Sequence, residues 1–101
     1  MSNAARGEAA LTIDGRARLL RPSFDALVQA EEELGPLFDL VERAGDGKLR
    51  LTDMAALFWH CLAERGDLSR EAVGEAVVAQ GLAASTKPLR ILLGEILKGR
   101  V

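Results

Sequence analysis

The dipeptide Asp14-Gly15 constrains this chain more than any other feature. Both residues tolerate positive φ, which a two-residue hairpin turn demands. They join two short runs, Ala9-Ala10-Leu11-Thr12-Ile13 and Arg16-Ala17-Arg18-Leu19-Leu20. In a two-residue register Ile13 faces Arg16, Leu11 faces Arg18 and Ala9 faces Leu20. Leu11, Ile13 and Leu20 then share one apolar face. Two strands alone are marginal in water, so this face must dock on something.

From Pro22 onward the chain reads as helix. Pro22-Ser23 opens the first one, with Ser23 as N-cap and Phe24, Leu27, Val28 and Leu34 as its apolar stripe. Gly35-Pro36 stops it. A second helix is predicted over 37–43, with Leu37, Phe38, Leu40 and Val41 apolar, and Gly45-Asp46-Gly47 as the turn after it. Thr52 is the expected N-cap of a third helix that ends about residue 64, with Met54, Leu57, Phe58, Cys61 and Leu62 on its face. Ser69 caps a fourth, with Leu68 and Val73 placed as a hydrophobic staple and Gly81 as terminator. The last helix is expected to start near Pro88, where a missing N–H costs little. Its residues Leu89, Leu92, Leu93, Ile96 and Leu97 form the clearest helical stripe in the chain. The expectation is a single α+β, mainly α domain over 1–101. Its β-hairpin (6–21) packs on a bundle of four to five helices (23–99).

Composition narrows the function. Hydrophobic residues make up 49% of the chain, enough for a core, and the net charge is −2. A nucleic-acid-binding domain carries a basic excess, so nucleic acid is not an expected partner. No stretch approaches the ~18 apolar residues of a membrane span. The N-terminus lacks a charged-then-apolar signal pattern. One cysteine, Cys61, permits no intrachain disulfide. These features together predict a cytoplasmic protein.

Three groups of residues are candidates for chemistry. His60-Cys61 supplies two soft ligands, whereas a zinc site needs about four, and adjacent helix residues diverge by about 100°. Neither a metal nor a catalytic role is expected of the pair. The second group, the run from Glu42 to Asp53, echoes a calcium loop with Gly47 at its sixth position. Ala44 then falls third without a side-chain oxygen, Glu42 stands where aspartate is wanted, and calcium asks for ~6–8 oxygens. No metal and no cofactor are therefore expected. The third group is the acidic run Glu31-Glu32-Glu33. Glu31 stands seven residues after Phe24 and returns to the apolar stripe, so it is expected to be partly buried and paired with Arg18 or Arg21.

A family resemblance adds to these readings. Arg6-Gly7-Glu8, then Leu11-Thr12-Ile13-Asp14-Gly15, Leu20-Arg21-Pro22-Ser23-Phe24, Ala26-Leu27, Glu31 and Leu34-Gly35 are similar to the tail-assembly chaperone family of phages and gene transfer agents. Members of that family are also described as tail tube proteins. Weaker similarity continues through Ala56-Leu57, Leu68-Ser69-Arg70-Glu71-Ala72-Val73 and Gly81-Leu82, so that about 3–99 is covered. The run from Cys61 to Gly66 departs from the small, glycine-rich residues usual there. The resemblance implies an adaptor rather than an enzyme. Its partner would be the long tape-measure protein or another tail protein, with self-association as the other option. It implies no particular binding residue.

The residues themselves suggest where such a partner would sit. Docking is expected through exposed apolar surface rather than through charge, because the net charge is small and no basic patch stands out. Phe58 and Trp59 are adjacent on one helix, so both cannot face one core. Trp59 either covers the hairpin or the last helix, or lies in a groove as a binding hot spot. Leu89, Leu93 and Ile96 on the last helix complete the candidate surface. The competing expectations are a calcium- or ligand-responsive helical module and a structural component of the tail.

Overall fold

A computed structural model describes residues 9–99. The order is β1 (Ala9–Ile13), β2 (Arg16–Leu20), α1 (Phe24–Leu34), α2 (Leu37–Gly45), α3 (Leu51–Cys61), α4 (Arg70–Gln80) and α5 (Leu82–Lys98). This is the α+β, mainly α architecture expected from the sequence, with five helices. Residues 6–8, at the front of the expected hairpin and of the family-like motif, lie outside the described residues.

The strands pair antiparallel in the expected register: Ile13 with Arg16, Leu11 with Arg18, Ala9 with Leu20. Asp14 (φ 53°) and Gly15 (φ 78°) both take positive φ, the signature of the tight turn that suits twisted strands. Ala9, Leu11, Ile13 and Leu20 are all buried. β1 packs on α4 and α5, so the first strand and the last helix meet in one core with Leu57, Phe58, Val73, Val77 and Leu92.

The outer side of β2 is also held. The chain after α3 runs along it: Ala63 N–H donates to the Leu19 carbonyl (3.0 Å) and Arg21 N–H to the Cys61 carbonyl (2.6 Å). Leu20 and Leu62 form an isolated antiparallel bridge between these bonds. This pairing explains why α3 ends at Cys61 instead of near 64, since Leu62 must be extended (ψ 123°) to meet the strand. The start of α3 also differs from expectation. Thr52 lies inside the helix, and Asp53 supplies the cap by accepting from Arg50 N–H (3.3 Å).

α1 and α4 begin as expected, with Ser23 Oγ accepting from Ala26 N–H (3.2 Å) and Ser69 Oγ from Ala72 N–H (3.1 Å). The buried face of α1 is not the predicted stripe. Ala26 and Ala30 are buried, Leu27 and Leu34 are half-buried, Val28 is exposed, and Phe24 is 85% exposed. α1 lies against α3, and small side chains at a helix crossing let the axes approach closely. The large residues are left outside.

α5 starts six residues before Pro88. Gly81, at φ 93°, ends α4 and begins α5 in a single residue. Ser85 Oγ donates to the Gly81 carbonyl (3.1 Å) and Thr86 Oγ1 to the Leu82 carbonyl (3.0 Å), supporting the first turn. Pro88 is buried inside the helix and cannot donate to the Ala84 carbonyl one turn earlier. Ala84 is exposed, so water can serve that carbonyl.

Two glycines separate backbone strain from helix propensity. A Cβ would meet no atom within 4 Å at either Gly81 or Gly94, but only Gly81 has positive φ. Gly81→Ala should destabilise by at least about 1 kcal/mol, the cost of an L-residue at φ 93°, ψ 150°, a region essentially confined to glycine. Gly94→Ala, within α5, should stabilise by up to about 1 kcal/mol. Opposite shifts of roughly 4–8 °C in Tm by circular dichroism would confirm both.

Candidate functional site

α2 is short and buries one side chain completely, Leu40. Leu37 and Val41 are half-buried, and Phe38 is 82% exposed. Across from it, α5 uses Ser85, Pro88, Leu89 and Leu92 to meet the core. Its last turns run on past that core, so Ile96 is half-buried and Leu97 is 54% exposed. Between the two helices lies a groove of about 180 Å³ lined by Leu37, Phe38, Val41, Ile96, Leu97 and Glu31. Val28 and Phe24 precede Glu31 by three and seven residues on the same face of α1, so they extend the apolar surface along that helix.

Glu31 shapes one end of this groove. Its Oε2 accepts from Leu37 N–H (3.1 Å), placing a carboxylate at the start of α2, where the helix dipole favours it. This corrects the expected pair of Glu31 with Arg18 or Arg21. Glu31 is exposed, and the α2 amide takes its carboxylate because Gly35-Pro36 folds the chain back beside the end of α1. Arg18 is half-buried, and its Nε has no hydrogen-bond partner among the described residues.

Glu33, also exposed, is the glutamate of the run that reaches α3 and α4. It follows Ala26 and Ala30 at i+7 and i+3, so it shares their face toward α3. Its Oε1 meets His60 Nε2 at 2.8 Å and its Oε2 accepts from the Arg70 guanidinium. One carboxylate thus ties α1 to α3 and α4. The two hydrogen bonds, that from Arg70 above all, hold Glu33 below the ordinary carboxylate value. Sequence reasoning missed this residue because it followed the stripe of large residues rather than the alanine face.

Trp59 belongs to the same cluster. It is half-buried, its Nε1–H donates to the Leu68 carbonyl (3.2 Å), and the guanidinium carbons of Arg65 and Arg70 lie 4.3 and 4.6 Å from its ring centre. His60 meets it edge-on. The other candidate binding residues divide. Phe58 is fully buried and Leu89 nearly so, so neither presents a surface to a partner, because α3 and α5 turn these side chains into the core. Leu93 is half-buried against the core, and Ile96 lines the groove. Phe38 and Leu97 were absent from the candidate surface although they form it. Their signal was an apolar residue beyond what one helix face can bury.

The expected calcium-loop echo takes another form. α3 begins at Leu51, within the twelve positions of that loop. Asp53, the would-be twelfth ligand, is bonded to the Arg43 guanidinium (2.8 Å). Cys61 is buried, and burial pushes its thiol up to about 12.

The fold and the groove define a small hairpin-plus-helix module with an open apolar surface at one side. The chain belongs to the family described as "Phage tail tube protein, GTA-gp10", which it matches over residues 6–99. It is thus a component of phage or gene transfer agent tail systems, and the family implies other tail proteins as partners. No curated protein and no solved structure matches it. Among the described residues no helix is long and apolar enough to cross a membrane.

The Glu33 link gives a signed pH dependence. A carboxylate whose folded pKa is lowered stabilises the fold above its unfolded value, near 4.5, and loses that contribution as pH falls through the lower folded value. Acid unfolding should therefore steepen below about pH 4.5 in the parent chain and less so in Glu33→Gln. At pH 7, Glu33→Gln should be less stable than Glu31→Gln, which retains a side-chain acceptor for Leu37 N–H. Urea titrations at pH 3, 4, 5 and 7 would check both.

Proposed function

We propose that this protein is a tail-assembly chaperone, an adaptor that holds a helical segment of the tape-measure protein in the α2–α5 groove during tail assembly. The observation that carries this reading is the groove itself. Phe38 and Leu97 are large, apolar and mostly exposed, and they flank a hollow that no side chain of the described residues fills. Contiguous exposed apolar surface marks interaction sites. A groove between two helices suits the apolar face of a third. The family match supports a tail partner.

The protein works by binding, in the bacterial cytoplasm, and not by catalysis. His60 is buried and tied to Glu33 within the fold, and burial pushes the Cys61 thiol up to about 12, which supports a structural rather than a reactive role for the pair. A second reading, a structural subunit of the tail, is favoured by the family's own description as a tube protein.

Co-expression with the tape-measure protein tests the first reading. A soluble complex should form and survive moderate salt, because apolar contact is little screened. Phe38→Ser should weaken it by about 2 kcal/mol, roughly thirtyfold, as hot-spot loss does, without lowering Tm. Trp59→Ala should lower Tm and leave the affinity of the folded fraction unchanged. Unchanged partner solubility, with no complex recovered, would overturn the chaperone reading. Mass spectrometry of purified particles separates the two readings, since a chaperone is absent from them and a tube subunit is abundant.

A further inference from the structure

The exposed apolar surface is set in a one-signed stretch of chain. Between Arg21 and Arg43 there are six carboxylates, Asp25, Glu31, Glu32, Glu33, Asp39 and Glu42, and no lysine or arginine. α1 and α2 are built from this stretch and carry Phe24, Val28, Phe38 and Val41. Arg43, which closes it, is turned to Asp53 and the Leu34 carbonyl.

Three of the six carboxylates are engaged within the protein: Glu33 with His60 and Arg70, Glu31 with Leu37 N–H, and Asp25 with the Gln29 amide (3.4 Å). Among the described residues Glu32, Asp39 and Glu42 have no such partner. Two of these flank the apolar surface. Glu32 stands one turn beyond Val28, and Glu42 one turn beyond Phe38. Glu31 lines the groove between them. The α5 wall contributes one cation in its last turn, Lys98.

We propose that the occupant of the groove is a cationic amphipathic helix, with an apolar stripe at i, i+3 or i+4, and i+7, flanked by lysine or arginine. The proposal rests on the docking reading above and adds its chemistry. Apolar side chains entering between α2 and α5 supply the affinity. The flanking cations meet Glu32 and Glu42, which steers encounter and rejects acidic helices. A second copy of this chain fits poorly. A two-fold contact through this face would set acidic flanks against each other, and like charges across an interface are unfavourable.

The test uses the full chain and two labelled helical peptides that share one leucine stripe, one flanked by lysine and the other by glutamate. Fluorescence anisotropy should show the lysine peptide binding about tenfold tighter at low salt, with the gap closing as the Debye length shrinks to about 3 Å near 1 M salt. Phe38→Ser should abolish binding of the lysine peptide, locating it in the groove. The double variant Glu32→Lys/Glu42→Lys changes only exposed positions. Circular dichroism should show it folded, and its preference should reverse. Equal affinity for the two peptides, no binding of either, or an unchanged preference in the double variant would overturn the proposal. So would sedimentation showing the parent chain to be a dimer that Phe38→Ser dissociates. If the tape-measure protein binds while neither peptide does, this inference falls and the chaperone reading stands. If the lysine peptide binds in the groove and the tape-measure protein is not held, the reverse is true.

Discussion

α1 lies against α3 through two alanines, and much of the molecule's surface depends on that contact. Ala26 and Ala30 bring the helices together, and an inward turn for them means an outward turn for Phe24 and Val28. The same rotation carries Glu33 to His60 and Arg70, where α3 and α4 each supply its carboxylate with a partner. The next bend, at Gly35-Pro36, sets α2 beside the end of α1 with Leu40 inward and Phe38 outward. An apolar face is therefore exposed as a by-product of close helix packing. A partially covered burden of this kind is tolerable in a protein that meets a partner and a hazard in one that does not.

Local chemistry made parts of this fold legible. Asp14-Gly15 specified the hairpin and its register, because few residue pairs accept two positive φ angles in succession. Ser23 and Ser69 marked helix starts, and Gly81 marked a helix end, because each does its work within four residues of itself. The failures were partly tertiary and partly local, as at Thr52, where Asp53 one residue on supplies the cap. Nothing near residue 62 announces that it will bridge to Leu20 and cut α3 short. Pro88 looked like a beginning because proline is unwelcome in a helix interior, and only the turn supported by Ser85 and Thr86 shows the helix already under way.

The surface was harder to read than the core. A stripe of large apolar residues on α1 suggested its buried side, whereas the alanines between them were the contact. The same error made Glu31 look inward-facing and hid Glu33. Trp59 drew attention as the single tryptophan. In place it is a structural hub, hydrogen-bonded to Leu68 and covered by two arginines. The groove residues Phe38 and Leu97 carried a weak signal, an apolar residue beyond what one helix face can bury, since exposure depends on what the rest of the chain fails to cover.

The packing of β1 on α5 has a kinetic side. A contact between the first strand and the last helix is non-local, and non-local contacts form late because the intervening chain must be ordered first. During synthesis the hairpin leaves the ribosome before the helices, with Leu11, Ile13 and Leu20 lacking full cover until α4 and α5 emerge. The hairpin, α1 and α2 can form before the core can close. Commitment to the native state is thus postponed until α5 has been made, and the α2–α5 groove, which needs α5 as its second wall, cannot exist before then.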